Sequence, residues 1–142
     1  MGTQENRALI DRYFDLVMRG IGTPEDVFAE DVSWHLPQSN PMRGSYTTRE
    51  AVLEMLGSGV DLYEPSSMST EIHTVVADDT HVAVRLTFRT RTAAGRDYEG
   101  EYQFMFECRD GLIVNVWESP DTLHQEQLGV FASYRDGDDS HA

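Results

Sequence analysis

One cysteine in 142 residues leaves no partner for an internal disulfide, and Cys108 therefore fits a reducing compartment. Positive charge is also scarce. Eleven Lys and Arg stand against 25 Asp and Glu, a formal net charge of −14. Such a field repels phosphates, which excludes nucleic acid and anionic membrane surfaces as partners. No apolar run approaches the roughly 18 residues of a membrane span. The opening MGTQENRALI has neither the basic nor the apolar region of a signal peptide, and Asn6 stands where a myristoylation signal needs Ser or Thr. A cytoplasmic chain is expected. No period of 20–50 residues repeats, which excludes solenoids and propellers. G-x-S-x-G is missing, and Gly57-x-Gly59 follows a helix rather than a strand, so neither a nucleophile elbow nor a phosphate loop is present. His73, His81 and His124 have no ligand spacing, and Cys108 has no catalytic partner suggested near it, so neither a metal site nor a nucleophile is expected.

A hydrophobic fraction of 39% and an aromatic fraction of 10% suit one globular core. Leu9, Ile10, Tyr13, Phe14 and Val17 recur at helical spacing, predicting a helix over about 4–18 that stops at Gly20. Thr23-Pro24-Glu25 reads as a cap and opens a short helix through Phe28. Val32, Trp34 and Leu36 alternate with polar residues as a short strand ending at Pro37, and 37–46 reads as loop. Thr47-x-x-Glu50 is a capping box before a helix that carries Val52, Met55 and Leu56 up to Gly57. From residue 70 the pattern becomes period two: 70–78, 81–92, 97–108 and 112–118 alternate, with turn signals between them. A last helix is expected after Ser119-Pro120, reaching about Leu128. The expected domain spans 1–133, and 134–142 reads as an acidic, disordered tail. Helices first and strands later indicate an α+β fold, with helices on one face of a curved antiparallel sheet.

The alternation assigns faces. Val82, Val84, Leu86 and Phe88 share one side with Tyr98, Tyr102, Phe104 and Phe106, while Arg85, Arg89 and Arg91 oppose Glu99 and Glu101 on the other. Arg89–Glu101 and Arg91–Glu99 are the expected cross-strand pairs, structural and individually weak. A three-residue turn with Gly111 as a bulge would match apolar to apolar: Phe106 with Val114, Phe104 with Val116, Tyr102 with Glu118. Glu118 then lies on the apolar face. Burial raises its pKa, while the helix that follows pulls it down.

The order of elements resembles the cone-shaped α+β fold of the nuclear transport factor superfamily. FAEDVSWHLPQSNPMRGSYTTREAV, ECRDGLIVNVWESPDTLHQEQLG and the helix around IDRYFDLVMRG look like its SnoaL-like branch, which includes polyketide cyclases and is related to ketosteroid isomerases. The resemblance covers about 5–130. It implies that Tyr13, in Arg12-Tyr13, stands where ketosteroid isomerases have an oxyanion-hole tyrosine, and His35 where they have the general base. Tyr102 stands near their second, protonated aspartate, a departure that argues against steroid isomerisation. Glu118, after Trp117, is similar in position to the acid/base aspartate of SnoaL-like cyclases. The Asp-Arg-Asp set of limonene-type epoxide hydrolases has no counterpart on the strands.

The resulting expectation is a small-molecule enzyme of secondary metabolism, a polyketide cyclase or isomerase type working on a carbonyl substrate without cofactor or metal. His35 or Glu118 would abstract a proton, and Tyr13 and Tyr102 would donate to the enolate. Trp34, Phe14, Val17, Met55, Phe104 and Val116 are the expected apolar lining, with entry near Trp34 and the 37–46 loop. The alternatives are a non-catalytic ligand-binding or dimerisation module, and a dehydratase using His35 and a tyrosine. The resemblance also implies a homodimer through the outer sheet face, where Arg85, Arg89 and Arg91 are expected beside Trp117, Met105 and Ile113.

Overall fold

The structure, a computed structural model, describes residues 2–134. Helix α1, Thr3–Arg19, buries Leu9, Ile10 and Tyr13 and ends on Gly20, whose left-handed backbone (φ 67) lets its N–H reach back to the last turn. The expected second helix is only a 3₁₀ turn, Pro24–Asp26, and Phe28 already begins strand β1, Phe28–Leu36. Phe28 is fully buried, and the Ile113 N–H donates to the Val27 carbonyl, so tertiary pairing takes this segment from the helix. The expected loop holds a further strand, β2, Gly44–Thr47, antiparallel to β1. Helix α2, Arg49–Val60, is capped one residue later than expected: the Thr48 hydroxyl accepts from the Ala51 N–H, and the helix runs through Gly57 and Gly59.

Strands β3 (Ser69–Ala77), β4 (His81–Arg91), β5 (Asp97–Arg109) and β6 (Leu112–Pro120) form the expected meander. The sheet order is β2-β1-β6-β5-β4-β3, curved and unclosed, with β1 parallel to β6 and every other pair antiparallel. That parallel pair makes the sheet mixed rather than purely antiparallel. Because β6 continues to Pro120, the cap of α3, Thr122–Gln127, is Asp121 rather than Ser119. The tail expected from 134 lies outside the described residues except for Tyr134, which meets Phe131 edge to face at 6.5 Å.

Two registers differ from expectation. Arg89 faces Glu99 and Arg91 faces Asp97, a shift of two residues, because the turn is centred on Ala94 rather than Gly95, with the Thr92 N–H donating to the Arg96 carbonyl. Arg85 reaches Glu101 at 3.1 Å instead. At the β5–β6 hairpin, Asp110 (φ 53) and Gly111 (φ 78) make a two-residue turn, and the extra residue comes later. Asn115 opposes Glu107 while Ile113 opposes Cys108, leaving Val114 as the bulge. Phe106 therefore faces Val116, Phe104 faces Glu118 and Tyr102 faces Pro120.

Candidate functional site

Between the inner face of the sheet and the three helices lies a cavity of about 180 Å³. Its walls are mostly apolar: Phe14 and Val17 from α1, Met55 and Leu56 from α2, Leu86 and Phe88 from β4, Phe104 from β5. The polar groups among them are Tyr13, Asn40, Tyr63, Thr70, Tyr102, Glu118 and Gln125, contributed by distant parts of the chain. Partly exposed Met18 and Met68, with Val60 at 47% exposure, lie where the wall reaches solvent. Beside the entry expected near the 37–46 loop, Trp34, Asn40 and Met42 are all buried, and Asn40 and Met42 line the cavity.

Glu118 owes its place to Val114. The two-residue turn alone would put its side chain on the outer face, and the one-residue bulge returns it to the inner one. It meets the cavity opposite Phe104, and the Trp34 indole N–H donates to its Oε1 at 3.2 Å. Burial pushes its carboxyl pKa up to about 7, against which the Trp34 hydrogen bond pulls down. Desolvation wins. The carboxyl group is thus poised between acid and base near neutrality.

Two phenols flank this carboxyl chemistry. Tyr13 is packed against Trp34 (6.0 Å between centroids) and Phe106 (5.1 Å). Burial, followed by the nearby Glu118 charge, raises its pKa. Tyr102 is raised well above the ordinary phenol value, chiefly by burial. Both stay neutral and remain hydrogen-bond donors. The Tyr102 hydroxyl lies 3.0 Å from that of Tyr98 and accepts from Gln125 Nε2 at 3.0 Å. Gly100 makes this contact possible. Tyr98 folds back over it, so that a Cβ at position 100 would fall on the Tyr98 hydroxyl and come 2.6 Å from its Cζ.

Of the expected site residues, the fold brings Glu118, Tyr13, Tyr102, Phe14, Val17, Met55 and Phe104 to one cavity. His35 leaves the site. It lies on the opposite face of β1, holds Ser45 Oγ at 2.8 Å and Asn115 Oδ1 at 3.0 Å, and stacks on Trp117 at 5.2 Å. Strand alternation makes this unavoidable once Trp34 faces inward. Trp34 and Val116 do not line the cavity; they are register partners in the fully buried core beneath it. Ile113 likewise belongs to the core and not to the outer face. The residues missed from sequence are Tyr63, Asn40 and Gln125, each outside the strands; the glycine between Tyr98 and Tyr102 was the available signal of a close approach. Burial pushes the Cys108 thiol up to about 11, which leaves it inert. Among the described residues no three His, Cys, Asp or Glu side chains gather as metal ligands, and no helix is long and apolar enough to cross a membrane.

Residues 10–116 match the family model of the SnoaL-like domain. The chain belongs to that family. No curated protein matches it. Among solved structures, this SnoaL-like chain is similar to an NTF2-like protein from Burkholderia xenovorans, at 23% identity over 90% of this chain and 98% of that one, TM-score 0.73. It is similar to IdmH, a candidate polyketide cyclase from Streptomyces antibioticus, at 22% identity over 86% and 96%, TM-score 0.72. A candidate ketosteroid isomerase from Kribbella flavida shares 25% identity over 82% and 77%, TM-score 0.64. These likenesses establish the NTF2-like fold.

Proposed function

We propose that this SnoaL-like protein is a cyclase or isomerase that moves a proton next to the carbonyl of an apolar substrate, with Glu118 as the general base and acid. The observation that carries this reading is a single carboxyl group, lifted to about 7, facing an apolar cavity that also holds two neutral phenols. Trp34 engages Oε1 and leaves Oε2 for the proton. Abstraction from the carbon beside the carbonyl produces an enolate, whose oxygen takes hydrogen bonds from Tyr13 and Tyr102. The protonated Glu118 then returns its proton, either to a different carbon, which shifts a double bond, or to the alkoxide formed when the enolate closes a ring on a second carbonyl. Both outcomes balance without net consumption of protons. The 142 residues contain no lysine, so carbonyl activation through a lysine Schiff base is closed to them.

The test is turnover of a panel of small cyclic ketones and diketones by the wild type, Glu118→Gln and His35→Ala. Glu118→Gln is expected to lose about 10²–10⁴-fold in kcat while keeping its fold. His35→Ala is expected to keep wild-type turnover. Where the wild type is active, kcat/KM should rise with pH around a midpoint near 7, as the Glu118 carboxyl deprotonates. Full turnover by Glu118→Gln would sink the assignment.

A further inference from the structure

At the α3 side of the cavity one polar atom has nothing to bind. Gln125 is 3% exposed and lines the cavity, and its amide is anchored by Nε2 on the Tyr102 hydroxyl at 3.0 Å. Its Oε1 is the one buried side-chain nitrogen or oxygen without a partner among the described residues. An orphaned buried acceptor forfeits its whole hydration energy, and native folds rarely leave one unless something else satisfies it. The core uses this amide through its Nε2 alone, and nothing there uses its Oε1. An apolar side chain of similar size would fill the same volume without that penalty. Tyr98, seated over Gly100, fixes Tyr102 from the other side, so the Gln125 amide is held in place rather than free to turn toward solvent.

We propose that Gln125 determines specificity: its Oε1 accepts a hydrogen bond from a hydroxyl group on the ligand. The substrate class is thereby narrowed to apolar ring compounds that carry a phenolic or enolic hydroxyl as well as the reacting carbonyl. Cavity size sets the scale of the enclosed part. An apolar cavity of about 150 Å³ takes one benzene ring, and this one, at about 180 Å³, takes a single ring with its substituent. Larger substrates would extend past Val60 and Met68 toward solvent. The inference rests on the cavity being the substrate site, as proposed above, and is independent of Glu118 being the base.

Phenol, toluene and anisole serve as probes, because they share one ring while differing in what they donate. A purely apolar cavity rejects phenol relative to toluene, since the hydroxyl must be stripped of water without a replacement partner. Affinities are measured by calorimetry or ligand-observed NMR on the full chain carrying Glu118→Gln, so that turnover plays no part and the amide at position 118, itself an acceptor, is the same in every arm. Phenol is expected to bind at least as tightly as toluene, and anisole, which cannot donate, to gain nothing over toluene. Adding Gln125→Leu, or Gln125→Met should the first fail to fold, is expected to lower the phenol-to-toluene affinity ratio about tenfold or more. An unchanged ratio in the Gln125 variant overturns the proposal, as does anisole binding like phenol. A Gln125-dependent phenol preference together with full turnover by Glu118→Gln would uphold this inference while removing the catalytic one.

Discussion

Two opposing energies meet at Glu118. Withdrawal from water favours its neutral form, and the Trp34 N–H favours its charged form; the first is larger, which lifts the pKa from 4.5 to about 7. This has a thermodynamic consequence of definite sign. Between about 4.5 and 7 the folded chain holds a proton that the unfolded chain has released, so this group's contribution to stability falls as pH rises through that window. A tenfold change in a protonation equilibrium is worth about 1.4 kcal/mol. Raising the pH from 5 to 8 is therefore expected to destabilise the wild type by an amount on the order of 2–3 kcal/mol that Glu118→Gln escapes, read as the difference between their urea midpoints at the two pH values. Equal pH dependence in both proteins would contradict the burial argument. Glu118, Tyr13 and Tyr102 were all legible in the sequence, since each sits in a strong period-two or helical pattern whose apolar face is unambiguous. His35 was legible as a reactive type, and its parity already set it opposite Trp34; only the family resemblance placed it in the site, while Trp34, with the more area to bury, takes the inner face of β1.

Along β5 the inward row runs Tyr98, Gly100, Tyr102, Phe104, Phe106, and its one gap is filled by the ring of its own neighbour. Gly100 would ordinarily weaken a central strand. Here it seats a phenol that is 2% exposed and hydrogen-bonded to Tyr102. Gly100→Ala should displace Tyr98, break that bond and cost about 1–3 kcal/mol, as other overpacked cores do, measurable as a lowered denaturant midpoint with an unchanged slope. A neutral or stabilising effect would show that the close approach is unimportant. On β6 the bulge at Val114 has the larger effect on the site, because one unpaired residue reverses the parity of everything after it. Apolar matching across the hairpin indicated that Glu118 faces inward, and it does. The pairing itself differs by two residues, since the Asp110-Gly111 turn is tighter and the bulge comes later than the apolar pattern alone could locate.

The sheet as a whole has two unlike faces. Inside is the cavity; outside, Arg85, Arg89 and Arg91 are tied to Glu101, Glu99, Glu71, Glu64 and Asp97 in exposed ion pairs that contribute little individually. Beside them lies an apolar patch of Val76, Met105 and Trp117, 40–62% exposed, bordering a groove of about 430 Å³. We infer that two copies meet through it, the charged pairs forming a polar rim. Sedimentation should then give a two-chain species at micromolar concentration, and Trp117→Arg with Met105→Lys should return a monomer whose cavity is intact. A monomeric wild type at that concentration would overturn the inference.

Local patterning by itself determined the α+β class, the inward set on the long strands and the presence of a carboxyl group among apolar residues, because burial repeats at a fixed period wherever one face of an element meets the core. Tertiary structure alone decided the rest. The parallel pairing of β1 with β6, the strand hidden in the 37–46 loop and the arrival of Tyr63, Asn40 and Gln125 at the cavity all depend on contacts between segments distant along the chain. No local period records such contacts, since their energy exists only once both partners are in place.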